Sequence, residues 1–161
     1  MGTAHATVSI DAPLELVWSV MLDLDSYDGW NPFILRVDRP SGRAARVGDP
    51  ITLHVRFGGG RRYASRERIT AIEAPALLGD RVRATLVYDF EGPLHATGLV
   101  RGRRFQHVEQ LPGQSTVYST SERFRGLLTP VVPTAAVQNG FRRHAKALKG
   151  RAEELATQPL G

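Results

Sequence analysis

A chain of 161 residues is long enough to bury a core of its own, and 42% apolar with 23% charged residues is ordinary globular composition, which excludes disordered, collagen-like and coiled-coil architectures. With no cysteine, neither disulfides, thiolate metal sites nor a cysteine nucleophile can take part in any mechanism, and a reducing cytoplasm is the expected location. The net charge of +5 rests on arginines spread through strands and helix alike rather than gathered on one element beside stacking aromatics, so no nucleic-acid partner is expected.

Thr3 to Asp11 alternates loosely around Val8 and Ile10 and predicts a first strand that ends at Asp11-Ala12-Pro13. Leu14, Val17, Trp18 and Met21 then fall at helical spacing behind Pro13, which predicts a short amphipathic helix. Asp23 to Trp30 predicts a second brief helical segment, stopped by Asn31-Pro32. From Phe33 the pattern changes to strands. Phe33, Leu35 and Val37 alternate, and Ile51, Leu53, Val55 and Phe57 do so with Thr52, His54 and Arg56 between them, which gives one buried and one wet face.

Gly58-Gly59-Gly60 supplies a turn into a strand from about Tyr63 to Ile72, closed by Glu73-Ala74-Pro75, and a fifth strand is expected from Leu77 to Ala84. Thr85 to Arg101 mixes apolar residues with Gly92-Pro93 and Gly98 and reads as a flexible flap. Two strands follow, Gly102 to Gln110 and Ser115 to Phe124, joined by Leu111-Pro112-Gly113-Gln114. From Thr134 to Ala156, Val137, Phe141, Ala145, Leu148, Ala152 and Leu155 step by four and three, which predicts a long amphipathic helix with Thr134 as its cap and Arg142, Arg143, Lys146, Lys149 and Arg151 mostly on its wet side. Gly140 inside that helix sacrifices ~1 kcal/mol against alanine, which points to close packing or to room for a ligand.

Strands in succession with segregated helices belong to the α+β class. A seven-stranded sheet that curls around one long helix leaves volume that side chains do not fill, and that volume is the natural binding site. The motifs agree. Asp11-Ala12-Pro13 with Val17-Trp18, then Asp23-Leu24-Asp25-Ser26-Tyr27-Asp28-Gly29-Trp30-Asn31-Pro32-Phe33, resembles the opening of the START-like (SRPBCC, Bet v 1-like) superfamily in its polyketide cyclase/dehydratase-type branch. Val47-Gly48-Asp49, the run Ser121 to Leu128, and Phe141 with Lys146-Ala147-Leu148-Lys149 extend the resemblance over nearly the whole chain. It implies a helix-grip fold in one ligand-binding domain spanning residues 1–161. One departure stands out: relatives of this type carry a Glu-His pair after the glycine opening the sixth strand, where this chain has Gly102-Arg103-Arg104. If Arg104 points inward, it can anchor a carboxylate or enolate oxygen; the alternative is a solvated strand arginine.

Glu122 shares its phase with Tyr118, Thr120 and Phe124, so a buried Phe124 puts Glu122 in the cavity. There it is either a general acid or base with a raised pKa or the silent partner of an arginine such as Arg104. Glu122, Arg104 and Tyr118 are the candidate catalytic residues. Trp30, Phe33, Leu53, Val55, Phe57, Tyr63, Tyr88, Gln106, Val108, Thr120, Phe124, Val137 and Phe141 are the candidate lining. Tyr63, Tyr88 and Tyr118 can each offer a hydroxyl to a substrate carbonyl. His54 and His107 fall in the wet phase, and His5, His54, His95, His107 and His144 lack close ligand spacing, so no metal is expected. No nucleotide loop or Gly-x-Ser-x-Gly elbow is present, and no cofactor is implied.

The expected partner is a small hydrophobic molecule, polyketide- or lipid-like, whose cyclisation or dehydration the protein promotes. A non-catalytic carrier or sensor and a chaperone-cofactor-like protein-binding module are the alternatives. The chain is expected to act as a monomer or homodimer. No apolar run approaches the ~20 residues of a membrane span, and Met1-Gly2-Thr3-Ala4-His5 lacks the blocks of a secretory signal, so neither membrane integration nor export is expected.

Overall fold

A computed structural model describes residues 2–158. In chain order the elements are strand β1 (Gly2–Ile10), helix α1 (Leu14–Leu22), a 3-10 segment (Leu24–Gly29), β2 (Ile34–Asp38), β3 (Pro50–Arg56), β4 (Arg62–Leu78), β5 (Arg81–Phe90), the one-turn helix α2 (Pro93–Ala96), β6 (Arg101–Gln110), β7 (Thr116–Arg125) and helix α3 (Thr134–Thr157). The seven strands form one antiparallel sheet in the order β1-β7-β6-β5-β4-β3-β2. Its inner face wraps α3, which lies along β1 and against α1 and β7, and this is the helix-grip arrangement of the α+β class. No described helix is long and apolar enough to cross a membrane.

The helices form where apolar residues repeat at their period. Leu14, Val17, Trp18 and Met21 bury one side of α1, and Val137, Phe141, Ala145, Leu148 and Ala152 bury one stripe of α3. Thr134 does not cap α3. It is the first helical residue, Pro133 holds the cap position, and no side chain caps the helix. In the sheet, Ile51, Leu53 and Val55 of β3 and Arg104, Gln106 and Val108 of β6 turn inward, while the intervening residues face outward.

Two boundaries correct the sequence expectation. Glu73-Ala74-Pro75 does not end a strand: β4 continues through it to Leu78, and the turn is Gly79-Asp80, with Gly79 at a φ of +66°. The proline is tolerated because β4 pairs with β3 only as far as Arg68, and a bulge between Glu73 and Ala76 interrupts its ladder with β5. Thr85 to Phe90 is accordingly regular β5 rather than flap, and only the stretch between β5 and β6 carries the short helix. A bulge between Ile34 and Arg36 also breaks the expected phase of β2, burying Ile34 with Val37 and leaving Leu35 half-buried.

Candidate functional site

Between the sheet and the first half of α3 lies a cavity of about 530 Å³. Phe33, Phe57, Phe90, Phe124 and Phe141 line it with Leu53, Val55, Val100, Val132 and Val137, and Arg61, Arg62 and Tyr63 stand at its exposed edge. Among the described residues four further polar side chains reach it: Ser65, Glu67, Arg104 and Glu122. The opening exists because side chains on facing elements are pulled away from it. The Phe33 ring lies flat on Gly140, where an added Cβ would come 2.3 Å from its Cε2 atom. Gly102 likewise leaves room for Glu122, whose Oε1 would meet a Cβ there at 2.8 Å.

The two glutamates come from separate strands, β4 and β7, and are held in an apolar wall. Burial and the nearby Glu122 carboxyl raise Glu67 to about 8, against the Ser65 hydroxyl, which donates to Glu67 at 2.5 Å, and the charge of Arg104. Burial raises Glu122 to about 7, against the pull of Arg104. At neutral pH the pair therefore holds protons that free carboxyls would have lost, and its members are poised to divide acid and base roles. Arg104 sits across from Glu122 in the β6–β7 register. Its Nε donates to Thr120 Oγ1 at 3.0 Å, and its guanidinium stacks 4.3 Å above the Phe141 ring. No ion pair within 4.0 Å joins it to a carboxylate among the described residues.

Behind Arg104 the core is polar. Tyr118 donates from its hydroxyl to Gln106 Oε1 at 2.8 Å, with Tyr88 beside them on β5. Asn31 accepts the backbone N–H groups of Phe33 and Ile34 at 3.0 and 2.9 Å through Oδ1, which fixes its amide and turns Nδ2 toward His144 Nδ1 at 2.7 Å. His144 is fully buried among Tyr27, Trp30 and Tyr118, and burial together with the charge of Arg104 holds it well below the ordinary imidazole range. It is neutral, its Nδ1 accepts from Asn31, and its proton is on Nε2.

Of the predicted residues, the cavity wall brings together Glu122, Arg104, Phe33, Leu53, Val55, Phe57, Tyr63, Phe124, Val137 and Phe141. Tyr88, Gln106, Val108, Tyr118 and Thr120 are buried behind that wall rather than on it. Trp30 is not at the cavity mouth either: it packs edge-on against Tyr27 at 4.9 Å, on the side where α3 meets the 3-10 segment. His54 and His107 stand on the outer face of the sheet, His54 bonded to Asp38 at 2.6 Å. Among the described residues no three His, Asp or Glu side chains gather as a metal site would require.

Sequence reasoning missed Glu67 and His144. Glu67 shares its phase with Ser65 and Ile69, so the inward face of β4 contained the signal. His144 falls one residue before Ala145 and three after Phe141, within the apolar stripe of α3.

Over residues 1–153 the sequence matches the family described as polyketide cyclase / dehydrase and lipid transport. No curated protein matches it. Among solved structures, the fold is similar to the Zhui aromatase/cyclase from Streptomyces sp. R1128, at a TM-score of 0.74 and 17% identity over 99% of this chain and 98% of that one. It is also similar to the major latex-like protein 151 of Panax ginseng, at 0.72 and 14% identity over 98% of each chain. A START superfamily protein from Mycobacterium smegmatis matches at 0.64 and 20% identity, over 96% of this chain and 99% of that one.

Proposed function

This chain belongs to the polyketide cyclase / dehydrase and lipid transport family, and from that premise we propose that it binds a small, largely apolar, carbonyl-bearing molecule in its cavity and promotes cyclisation with loss of water. The observation that carries this reading is the meeting of Glu67, Glu122 and Arg104 on a wall otherwise made of phenylalanine and aliphatic side chains.

In this reading the apolar walls fold the chain of the substrate so that a nucleophilic carbon and a carbonyl lie near contact distance, which is worth several kcal/mol of barrier. The Glu122 carboxylate takes a proton from the carbon next to a carbonyl, the resulting enolate carbon forms a bond to a second carbonyl, and the alkoxide takes the proton of neutral Glu67. Dehydration runs the pair in reverse: Glu67, now a carboxylate, removes the next proton, and Glu122 protonates the departing hydroxyl as water. Both residues return to their starting states. Arg104 stabilises the enolate oxygen. Tyr118, bonded to Gln106 behind the wall, acts as a positioning residue rather than a proton donor.

A carrier shares the cavity but needs no proton transfer, and a protein-binding module needs a filled interior, which a volume of about 530 Å³ counts against. The deciding experiment is Glu122→Gln with a short poly-β-ketone, followed by the ultraviolet absorbance of the aromatic product and by calorimetry. Loss of turnover with near-normal affinity is expected. Parallel loss of both, or no turnover by the wild-type protein, replaces the enzyme with a carrier.

A further inference from the structure

The cavity opens at an end of the sheet where positive charge meets no acidic side chain. Arg61 and Arg62 line its exposed edge, and among the described residues neither has a carboxylate within 4.0 Å. Elsewhere the chain pairs such groups: Arg39, Arg43, Arg68 and Arg103 each meet a carboxylate. At the open end, Arg56 stands directly across from Arg62 in the β3–β4 register, and Arg101 from Arg125 in the β6–β7 register. Like charges in opposed positions destabilise a sheet. Burial, and then the charge of Arg56, lower the Arg143 guanidinium, which lies over the Phe33 ring and donates to the Pro32 and Arg56 carbonyls. The sequence offers no local relief, because residues 50–66 and 123–152, which supply both sides of the opening, contain no Asp or Glu.

One strand connects this edge to the interior. Arg61, Tyr63, Ser65 and Glu67 alternate along the start of β4, and all four line the cavity. Arg61 is exposed, Tyr63 is 51% exposed, Ser65 is half-buried and Glu67 is buried, so the series runs from solvent inward. Six residues of extended chain rise about 20 Å, which gives the path the proportions of an elongated guest. Its two ends differ in charge. Inside, two carboxyls, Glu67 and Glu122, face one guanidinium, Arg104. An anionic group carried inward loses its water among carboxyls, whereas at the edge it keeps its water and meets the unpaired arginines.

We propose that the ligand is an amphiphile with an anionic end, a carboxylate or a phosphate, which stays at the cavity edge against Arg61 and Arg62 while the apolar body enters. This deepens the function proposed above and rests on it. The anion belongs to the ligand itself, because the strand that presents Arg61 continues into the cavity wall as far as Glu67. Anchoring the outer end fixes which part of the body lies beside Glu67 and Glu122.

The test uses two probes of equal chain length, decanoate and decanol, titrated calorimetrically into the intact protein and its R61Q/R62Q variant. Both substituted positions are exposed, so the fold is not at stake. At low salt decanoate is expected to bind wild type about fivefold more tightly, the effect of two solvent-exposed ion pairs. The preference should fade at about 0.5 M salt and disappear in R61Q/R62Q, with the affinity for decanol unchanged. In the wild-type complex, nuclear Overhauser cross-peaks should join the methylene next to the carboxylate to the Tyr63 ring and the terminal methyl to Phe124 and Phe141. Equal affinities for the two probes, a preference that survives R61Q/R62Q, or the reverse pattern of cross-peaks overturns the anionic edge site while leaving a cavity that binds apolar guests. Failure of both probes to bind overturns the reading on which the site depends.

Discussion

Gly140 and Gly150 lie on the same helix in opposite surroundings, and exchanging each for alanine separates packing from helix propensity. At Gly150 nothing lies within 4 Å of an added Cβ, so Gly150→Ala is expected to stabilise the fold by about 1 kcal/mol through propensity alone. At Gly140 the same methyl would stand 2.3, 2.5 and 2.6 Å from three atoms of the Phe33 ring, where ordinary contact begins at 3.4 Å. The ring must retreat by about 1 Å, away from Phe57, Phe141 and the Arg143 guanidinium that surround it. Overpacking of this kind costs about 1–3 kcal/mol, which offsets or outweighs the propensity gain. The two variants should therefore differ by roughly 1–3 kcal/mol, or about 2–12 °C in Tm for a chain of this length, with G150A the more stable. Differential scanning calorimetry measures this directly. Equal stabilisation by both substitutions would refute the placement of Phe33 on the helix, and with it the position of the cavity wall.

Both cavity glutamates hold their protons more tightly in the folded chain than in the unfolded one, so their contribution is full below about pH 4.5 and is lost as the pH rises through about 7 to 8. Unfolding free energies from denaturant titrations should fall across that window by an amount on the order of a few kcal/mol, and Glu67→Gln should flatten the decline; a profile with the same slope in both proteins contradicts it. Asn31→Ala strands the N–H groups of Phe33 and Ile34 and the His144 Nδ1 atom, and should cost about 3 kcal/mol or more in urea unfolding. A loss under about 1 kcal/mol would mean that these bonds do not organise the turn. Gly102→Ala pushes only the flexible end of Glu122, so stability should change by less than about 1 kcal/mol while turnover falls; unchanged turnover would argue against a fixed carboxylate.

The fold was legible wherever period and punctuation agreed. Clean alternation in Ile51 to Phe57 and the four-three stepping of Val137 to Leu155 each admit one element, and the observed strand and helix follow them. The β4–β5 hairpin was misread because Pro75 is a turn signal only when both sides of a strand are paired, and pairing partners are not visible in a local pattern. The site was legible as faces but not as depth. Phase put Glu122, Gln106, Val108 and Thr120 on the inner side correctly. Whether an inward side chain touches open space or packed neighbours depends on the curl of the sheet and on where Gly140 lets Phe33 rest, and neither has a periodicity. Trp30 was misplaced for the same reason: the exit angle of the 3-10 segment aims it at Tyr27 and His144.

The space between sheet and helix is expected to admit an apolar guest beside two glutamates. Intermolecular nuclear Overhauser effects with a bound neutral probe, methylnaphthalene, test it most directly. One saturable site is expected, with cross-peaks from the probe to the ring protons of Phe33, Phe124 and Phe141 and to the side chain of Glu122. Cross-peaks confined to outer-surface residues such as Leu77 and Leu78, which are 76% and 57% exposed, or no saturable binding at all, would contradict it.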